Sequence, residues 1–418
     1  NILEGERIIQ TDTLKYDDTI ELMSLINGGV IKEPGKGVLG DEIFLQYQDS
    51  ILKQINISGS AEAWQDFESK IKKADPNFYQ FRNEMKSKFI TVELENDEIK
   101  KMILENMAET RYHVSEDSLL MGTNTASGDT IILTFQLSEL NRIQVIGGSQ
   151  GLFKPEAGNT KIDTIITYKA NYLDYFVDKK QTQLIDNAIV EYQETKLEAG
   201  NIIVDWKENI LNAIEYNEIL PTVFTGDTEP LIGDDMTFDL ISKHGKINKG
   251  KTEYNSGYYH GEKIYRDEPD IFHVKDSKYT SCELDNPHYY FASNKMKLVG
   301  DDRVIAKPLI LHIFDIPIIG IPFAVFPNKG GSRHSGWIMP AFGTRTSTGT
   351  FFQRLGYFYA PNDYIDIKTL VDFYDKLGVV INSKFNYVKR YNYNGSFSTR
   401  VNQSLVGKDV VDLFDNYT

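Results

Sequence analysis

Residues 43–63, IFLQYQDSILKQINISGSAEA, decide the fold, because the chain repeats this stretch without gaps. Residues 131–151 read IILTFQLSELNRIQVIGGSQG, and residues 90–110 read ITVELENDEIKKMILENMAET. The first and last copies share the pairs Ile43/Ile131, Leu45/Leu133, Gln48/Gln136, Ser50/Ser138, Leu52/Leu140, Ile55/Ile143 and Gly59/Gly147. Self-similarity of this kind is typical of folds stacked from one supersecondary unit.

Each copy reads as strand, turn, strand, because apolar and polar residues alternate with period two. Asp49–Ser50 and Asn96–Asp97 supply polar turns. Residues 98–107 also fit helical spacing, but the gapless match to the other two copies favours a strand. The chain is therefore predicted to be all-β and built from repeated hairpins.

The alternation predicts one apolar face on these hairpins. Its members are Ile43, Leu45, Tyr47, Ile55, Ile57, Ile90, Val92, Leu94, Ile131, Leu133, Phe135, Ile143 and Val145. The face is either ordinary core or an open groove that accepts an apolar ligand. Its neighbours could point inward instead, because a shift of one residue inverts every side chain.

Composition restricts the partners and the fold class. The 418 residues carry a net charge of −15, which argues against nucleic acid as a partner, because its phosphates would be repelled. Residues 63–88 are rich in charge and are expected to form a helical or loop insertion. Residues 309–326 are apolar, but Asp315, Pro317 and Pro322 favour buried strands with turns over a spanning helix.

The sequence carries no catalytic or metal signature. None of the seven histidines pairs with another at zinc spacing, and Cys282 is the only cysteine. Cys282 and His288 lie six residues apart, but sequence spacing alone does not make a nucleophile–base pair. We expect no enzyme activity, no metal site and no cofactor.

The last 85 residues change character. Long alternating runs over 365–373, 379–387 and 393–401 are separated by short turns and flanked by aromatic residues. This pattern is typical of transmembrane β-barrel strands. About five strands are expected here, and the natural protein is expected to continue past Thr418, because an open sheet edge is not stable in lipid.

Three further stretches are distinctive: residues 236–264, residues 278–291 (KYTSCELDNPHYYF) and residues 316–327 followed by Ser335-Gly336-Trp337 and Pro340. In this order they resemble the family of lipopolysaccharide-assembly proteins called LptD or OstA. The first 150 residues resemble the OstA-like repeat more generally, which the periplasmic protein LptA also carries.

The resemblance implies a periplasmic, OstA-like, twisted open β-jelly-roll over 1–333 and the first strands of an outer-membrane barrel over 334–418. It implies that the apolar groove carries the acyl chains of lipopolysaccharide towards the outer leaflet of the outer membrane. The implied partners are lipopolysaccharide, an LptA-like bridge protein docked by edge strands, an LptE-like lipoprotein plug and outer-membrane lipid. Cys282 falls where the family has a cysteine bonded to the C-terminal region, which here would lie beyond Thr418.

Two other functions remain open from the residues alone. An adhesin-like structural β-solenoid of the cell surface would explain the repeats and the acidity, but not the barrel-like tail. A polysaccharide-processing enzyme on a β-sandwich would need catalytic side chains clustered on one concave face.

Overall fold

The structure is a computed structural model that describes residues 2–4, 7–96, 98–137, 139–160, 162–226, 229–254, 257–268, 271–284, 286–299, 303–327, 335–338, 340–389 and 391–404. Every helix or strand assigned within these ranges is a β-strand, so the predicted all-β class is confirmed. Within the same ranges, no helix is long and apolar enough to cross a membrane. The chain divides into two compact units, residues 1–253 and 254–418.

The first unit is an antiparallel sheet of long hairpins. Its strands are β1 Ile2–Glu4, β2 Arg7–Asp17, β3 Leu22–Glu33, β4 Lys36–Gln48, β5 Ile51–Ser69, β6 Tyr79–Glu95, β7 Glu98–Glu116, β8 Leu119–Gln136, β9 Glu139–Pro155, β10 Ile166–Phe176, β11 Gln181–Tyr192, β12 Thr195–Asp205, β13 Ile210–Ile214, β14 Thr222–Thr225, β15 Leu231–Ile232, β16 Asp235–Asp239 and β17 Gly245–Tyr254. From β1 to β13 each strand pairs with the next along the chain. The sheet then continues through β14 to β17.

The turns between these strands have the predicted chemistry. Asp49 and Ser50 both have positive φ, 54° and 65°, as two-residue hairpin turns require. Asn96 has φ 53°, whereas Asp97 lies outside the described residues. The strand interpretation of residues 98–107 is confirmed, because they open β7.

A line of β-bulges crosses the long strands at equivalent positions. The register shifts at Ile26/Gly29, Leu39/Glu42, Ser58/Ala61, Lys86/Phe89 and Glu105/Ala108, and further bulges continue the line through β11. Bulges bend a strand and increase its twist. The line therefore divides the sheet into two halves: half A, which carries the Asp49–Ser50 turn, and half B, which carries the turn between Glu33 and Lys36.

The helical or loop insertion expected over residues 63–88 is wrong. Residues 63–69 finish β5, and residues 79–88 begin β6, so only the connection between these strands is irregular. Ala63 and Trp64 are buried, and Arg82 pairs with Asp66 across the two strands. Some of the charged residues that suggested an insertion, such as Lys72 and Lys73, lie in this connection, and others, such as Arg82 and Lys88, are exposed on β6.

The second unit contains two sheets. The first consists of β18 Gly257–Glu268, β19 Ile271–Thr280, β20 Tyr289–Val299, β21 Arg303–Lys307, β22 Leu309–Ile313, β23 Ile316–Ile321 and β24 Ala324–Pro327. β20 pairs with β21 along one part of its length and with β22 along the other. Strands are confirmed for residues 309–326, but their predicted burial is wrong for β23, whose residues 316–320 are exposed.

The second sheet consists of β25 Gly336–Ile338, β26 Ala341–Arg345, β27 Gly349–Asn362, β28 Ile365–Tyr374, β29 Gly378–Lys389 and β30 Tyr393–Ser404. It therefore has six strands within the described residues, where about five were expected. The predicted domain boundary at residues 333/334 lies outside the described residues.

Candidate functional site

An apolar cavity of about 230 Å³ lies in the first unit, between the two halves of the bent sheet. Half A contributes residues close to its hairpin turns, such as Leu52 and Leu94. Half B contributes residues on the other side of the bulges, such as Val38 and Ala63. The apolar lining residues are Ile31, Val38, Leu45, Leu52, Ile55, Ala63, Trp64, Met85, Val92, Leu94, Ile99, Met102 and Phe135. The cavity can therefore hold an apolar chain against side chains from β3 to β8.

Gly37 shapes the half-B wall of this cavity. A Cβ atom at this position would overlap the ring of Trp64, so only glycine lets the indole lie flat across β4. Trp64 is buried, and the guanidinium of Arg82 lies 5.3 Å from its ring centre. The indole therefore has one face in the apolar interior and a cation nearby, an arrangement that suits its amphipathic character.

Charged groups mark the rim of the cavity on the half-B side. Arg7 Nε donates a 2.8 Å hydrogen bond to Glu33 Oε1, and Lys36 Nζ lies 3.0 Å from Glu33 Oε2. Burial acts to raise the pKa of Glu33, but hydrogen bonds from Lys36 and Arg7 and their positive charges outweigh it. The pKa of Glu33 is therefore below its usual value, and the carboxylate stays ionised at neutral pH. The cavity thus combines an apolar interior with a half-B rim of two cations and one anion, and Glu98 adds a carboxylate on the half-A side.

Five of the thirteen residues predicted for the apolar face line the cavity. They are Leu45, Ile55, Val92, Leu94 and Phe135. Tyr47 is half-buried and does not line it. The other seven are buried beside or beyond the cavity: Ile43, Ile57, Ile90, Ile131, Leu133, Ile143 and Val145.

Sequence reasoning missed the half-B wall. In β4, Ile43 and Val38 both face inward although they are five residues apart, an odd number. The bulge between them shifts the alternation by one residue. In β6 the step from Ile90 to Met85 is likewise five. Strict period-two counting fails at such a step. The recurring Gly40-Asp41 and Gly128-Asp129 pairs were the available signal, because they mark the bulges.

The structure brings Cys282 and His288 together, with Sγ 3.7 Å from Nδ1. The imidazole of His288 lies beside Phe314, with the two ring centres 5.5 Å apart. In the described part of the chain, no group of three or more His, Cys, Asp or Glu side chains could hold a metal ion. The proposed disulfide of Cys282 to a region beyond Thr418 stays a prediction.

Comparison with known proteins finds one matching family model and several similar proteins. Residues 304–417 match the family model described as "LptD protein". The LPS-assembly protein LptD of Bordetella avium is 29% identical over 126 residues, which is 30% of this chain and 15% of that protein. The LPS-assembly protein LptD of Cupriavidus metallidurans is 34% identical over 123 residues, 29% of this chain and 15% of that protein. The matched segments thus span about 15% of the length of these relatives.

One solved structure is similar at low identity. It is LptH of Pseudomonas aeruginosa, described as the LptA homologous periplasmic component of the conserved lipopolysaccharide transport device. It is 14% identical with a TM-score of 0.17, and the likeness covers 50% of this chain and 82% of that protein. A TM-score this low supports no conclusion about the fold of this chain.

Proposed function

We propose that this chain is an LptD-type protein that carries the acyl chains of lipopolysaccharide through its bent sheet and delivers them to a membrane-embedded sheet at its C-terminal end. The observation that carries the proposal is the apolar cavity between the two halves of the first unit. In this proposal the chain supplies the groove and the first strands of the membrane sheet.

The chemistry of the cavity suits an acyl chain. Each methylene group removed from water contributes about 0.8 kcal/mol, and this gain needs no directional contact. An apolar surface that passes from one hairpin to the next can therefore hold a chain at many positions with similar affinity. Ile55, Leu94 and Phe135 are only partly buried, so they can contact a ligand without first being uncovered.

The sheet β25–β30 supports delivery to a membrane. Strands β27 to β30 have 10–14 residues, and a transmembrane strand needs about 9–11. Cross-strand pairs place large apolar side chains on one shared face, and these are Leu355, Ile367, Val371, Phe373, Ile381, Phe385, Phe397 and Val401. The opposite face of β29 and β30 is mostly polar, with Asn382, Lys384, Asn386, Ser396, Ser398, Arg400 and Asn402. In our proposal the apolar face meets lipid and the polar face meets the barrel lumen.

The proposed protein partners follow from edges and from the likeness to LptD proteins. Among the described strands β1 pairs with β2 alone, so its other edge can accept a strand from an LptA-like bridge protein. A lipoprotein plug of the LptE kind would occupy the lumen of the completed barrel. The N-terminal unit would then lie in the periplasm and the C-terminal sheet in the outer membrane.

Photo-crosslinking in cells that make the full-length protein tests the cavity. A photoreactive residue replaces Ile55, Leu94 or Phe135, and matched controls replace the neighbouring residues Gln54, Glu93 or Thr134 on the other face of the same strands. We expect lipopolysaccharide adducts at the first three positions and none at the controls. Ile55, Leu94 and Phe135 are better probes than the fully buried Ile43, since a bulky residue fits there without repacking the core.

A blocking variant strengthens this test. Ala63 lines the cavity, and Ala108 is equally buried but does not. Ala63→Leu should lower the yield of adducts at Phe135, whereas Ala108→Leu should leave it unchanged. Equal yields at cavity and control positions, in cells that assemble their outer membrane normally, would contradict the proposal and leave the cavity as a packing defect of the core.

A further inference from the structure

The hairpin formed by β22 and β23, together with Phe323 just after it, carries five large exposed apolar side chains. Phe314 is 66% exposed, Ile316 62%, Ile318 54%, Ile319 64% and Phe323 58%. The turn residues Phe314 and Asp315 have positive φ, 45° and 63°, so the aromatic ring is held at the tip of a tight turn. Apolar patches of this kind mark contact surfaces for a protein or a membrane.

Both faces of β23 are apolar and exposed. Ile319 lies opposite Leu311, which is 5% exposed, and so belongs to the face that β22 turns inward. Pro317 and Gly320 lie on the other face, because they pair with His312 and Ile310, and both are exposed; Ile318 is the extra residue of the β-bulge between these pairs. A folded protein partner would contact one face of such a strand, whereas hydrocarbon can surround both.

The charge pattern also favours hydrocarbon. Residues 316–327, IPIIGIPFAVFP, contain no charged side chain. Edge strands of water-soluble sheets commonly carry lysine or other charges, and protein interfaces have a polar rim. The nearest carboxylate in the sequence is Asp315, which accepts a 3.0 Å hydrogen bond from the hydroxyl of Tyr290. Pro317 removes one backbone donor from the strand, which lessens the penalty of leaving water.

The sheet β25–β30, with its apolar face, belongs to the same unit as the hairpin. Strand β24 follows the hairpin in the sequence and contacts β25. We propose that the β22–β23 hairpin inserts into the hydrocarbon of the bilayer leaflet next to that sheet, as a second membrane contact separate from the barrel strands. The inference rests on the proposed function only in placing the sheet in a membrane. It does not require that the cavity of the first unit binds lipid.

The test places an environment-sensitive fluorescent amino acid at Ile318 or Ile319 of the full-length protein, which leaves Cys282 unchanged. The control position is Lys295, an exposed residue of β20 in the same unit. The protein is reconstituted in vesicles of phosphatidylethanolamine and phosphatidylglycerol. Nitroxide-labelled lipids quench from the bilayer, and iodide quenches from water.

We expect blue-shifted emission at positions 318 and 319, with nitroxide quenching several-fold stronger than at position 295. Position 295 should respond to iodide instead. Quenching by iodide alone at 318 and 319 would overturn the proposal in favour of a solvated hairpin. Quenching by neither agent would overturn it in favour of a protein partner or a covering segment of this chain.

A substitution adds a second arm to the test. With the label at Ile319, Ile316→Asp should shift the emission to the red and weaken nitroxide quenching, because a carboxylate draws the hairpin towards water. Val304→Asp, on β21 outside the hairpin, should leave both signals unchanged. An unchanged signal with Ile316→Asp would count against insertion. Lipopolysaccharide adducts in the cavity are a separate readout, so failure of either proposal can be recognised alone.

Discussion

The carboxyl group of Asp41 lies against Gly59, where a Cβ atom would otherwise stand. Asp129 lies against Gly147 in the same way, 88 positions later, so the sequence repeat is also a repeat of contacts. Gly59 has φ 95° and Gly147 has φ 79°, values that residues with a side chain rarely adopt. The two pairs hold β4 to β5 and β8 to β9 at the bulges that bend the sheet.

The first prediction concerns the bulge at Gly59. Gly59→Ala should lower the free energy of local opening of β4 and β5 by about 2–4 kcal/mol, because it combines backbone strain with a clash against Asp41. Gly28→Ala is the matched control, since Gly28 has φ 90° but no heavy atom within 4 Å of an added Cβ, and it should cost about 1–2 kcal/mol. Hydrogen exchange of the amides measures both in the full chain. Equal effects would show that Asp41 contributes nothing at this position.

The second prediction concerns pH at the rim of the cavity. A carboxylate whose folded pKa is lowered stabilises the fold above its unfolded pKa, and this contribution is lost as pH falls through the folded value. Glu33 is such a group, through Lys36 and Arg7. The wild type should therefore be more stable than Glu33→Gln at pH 7, and the difference should shrink as pH falls below about 4.5. Thermal unfolding across this range measures it, and a difference independent of pH would contradict the ion cluster.

The third prediction compares a buried and an exposed ion pair. Arg142 Nε donates a 2.7 Å hydrogen bond to Asp174, whose side chain is only 5% exposed. Asp174→Asn should destabilise the first unit by about 2–3 kcal/mol, less than a fully buried pair because Arg142 reaches solvent. Asp66→Asn breaks the exposed pair with Arg82 and should cost about 0–1 kcal/mol. Hydrogen exchange during denaturant titration measures the loss at β9 and β10 for Asp174→Asn and at β5 and β6 for Asp66→Asn, and equal losses would contradict this ranking.

The repeat made the hairpins of the first unit predictable, because Ile43, Ile90 and Ile131 begin runs of plain period-two alternation. The line of β-bulges was not predictable in detail, because a bulge at a position such as Gly59 changes which side chains face inward. That is why Val38, Ala63 and Trp64 were missed as cavity residues and why the hairpin over 63–88 was misread. The strands β28 to β30 were predictable because their alternation contains no such interruption over most of its length.

The last prediction tests which face of the C-terminal sheet meets lipid. Phe397 is 67% exposed and pairs with Phe385 on the apolar face, whereas the neighbouring Ser396 lies on the polar face opposite Asn386. An arginine facing lipid costs about 2–4 kcal/mol at the bilayer midplane, and one facing the lumen costs little. Phe397→Arg should therefore sharply reduce the amount of full-length protein that assembles in the outer membrane, measured as the protease-resistant fraction in purified membranes. Ser396→Arg should assemble normally, because Asn386 is bonded to Asp366 on that face and the added cation finds an anion nearby. If the two variants assemble equally well, the apolar face of β28 to β30 packs against protein, and the lipid-facing assignment is wrong.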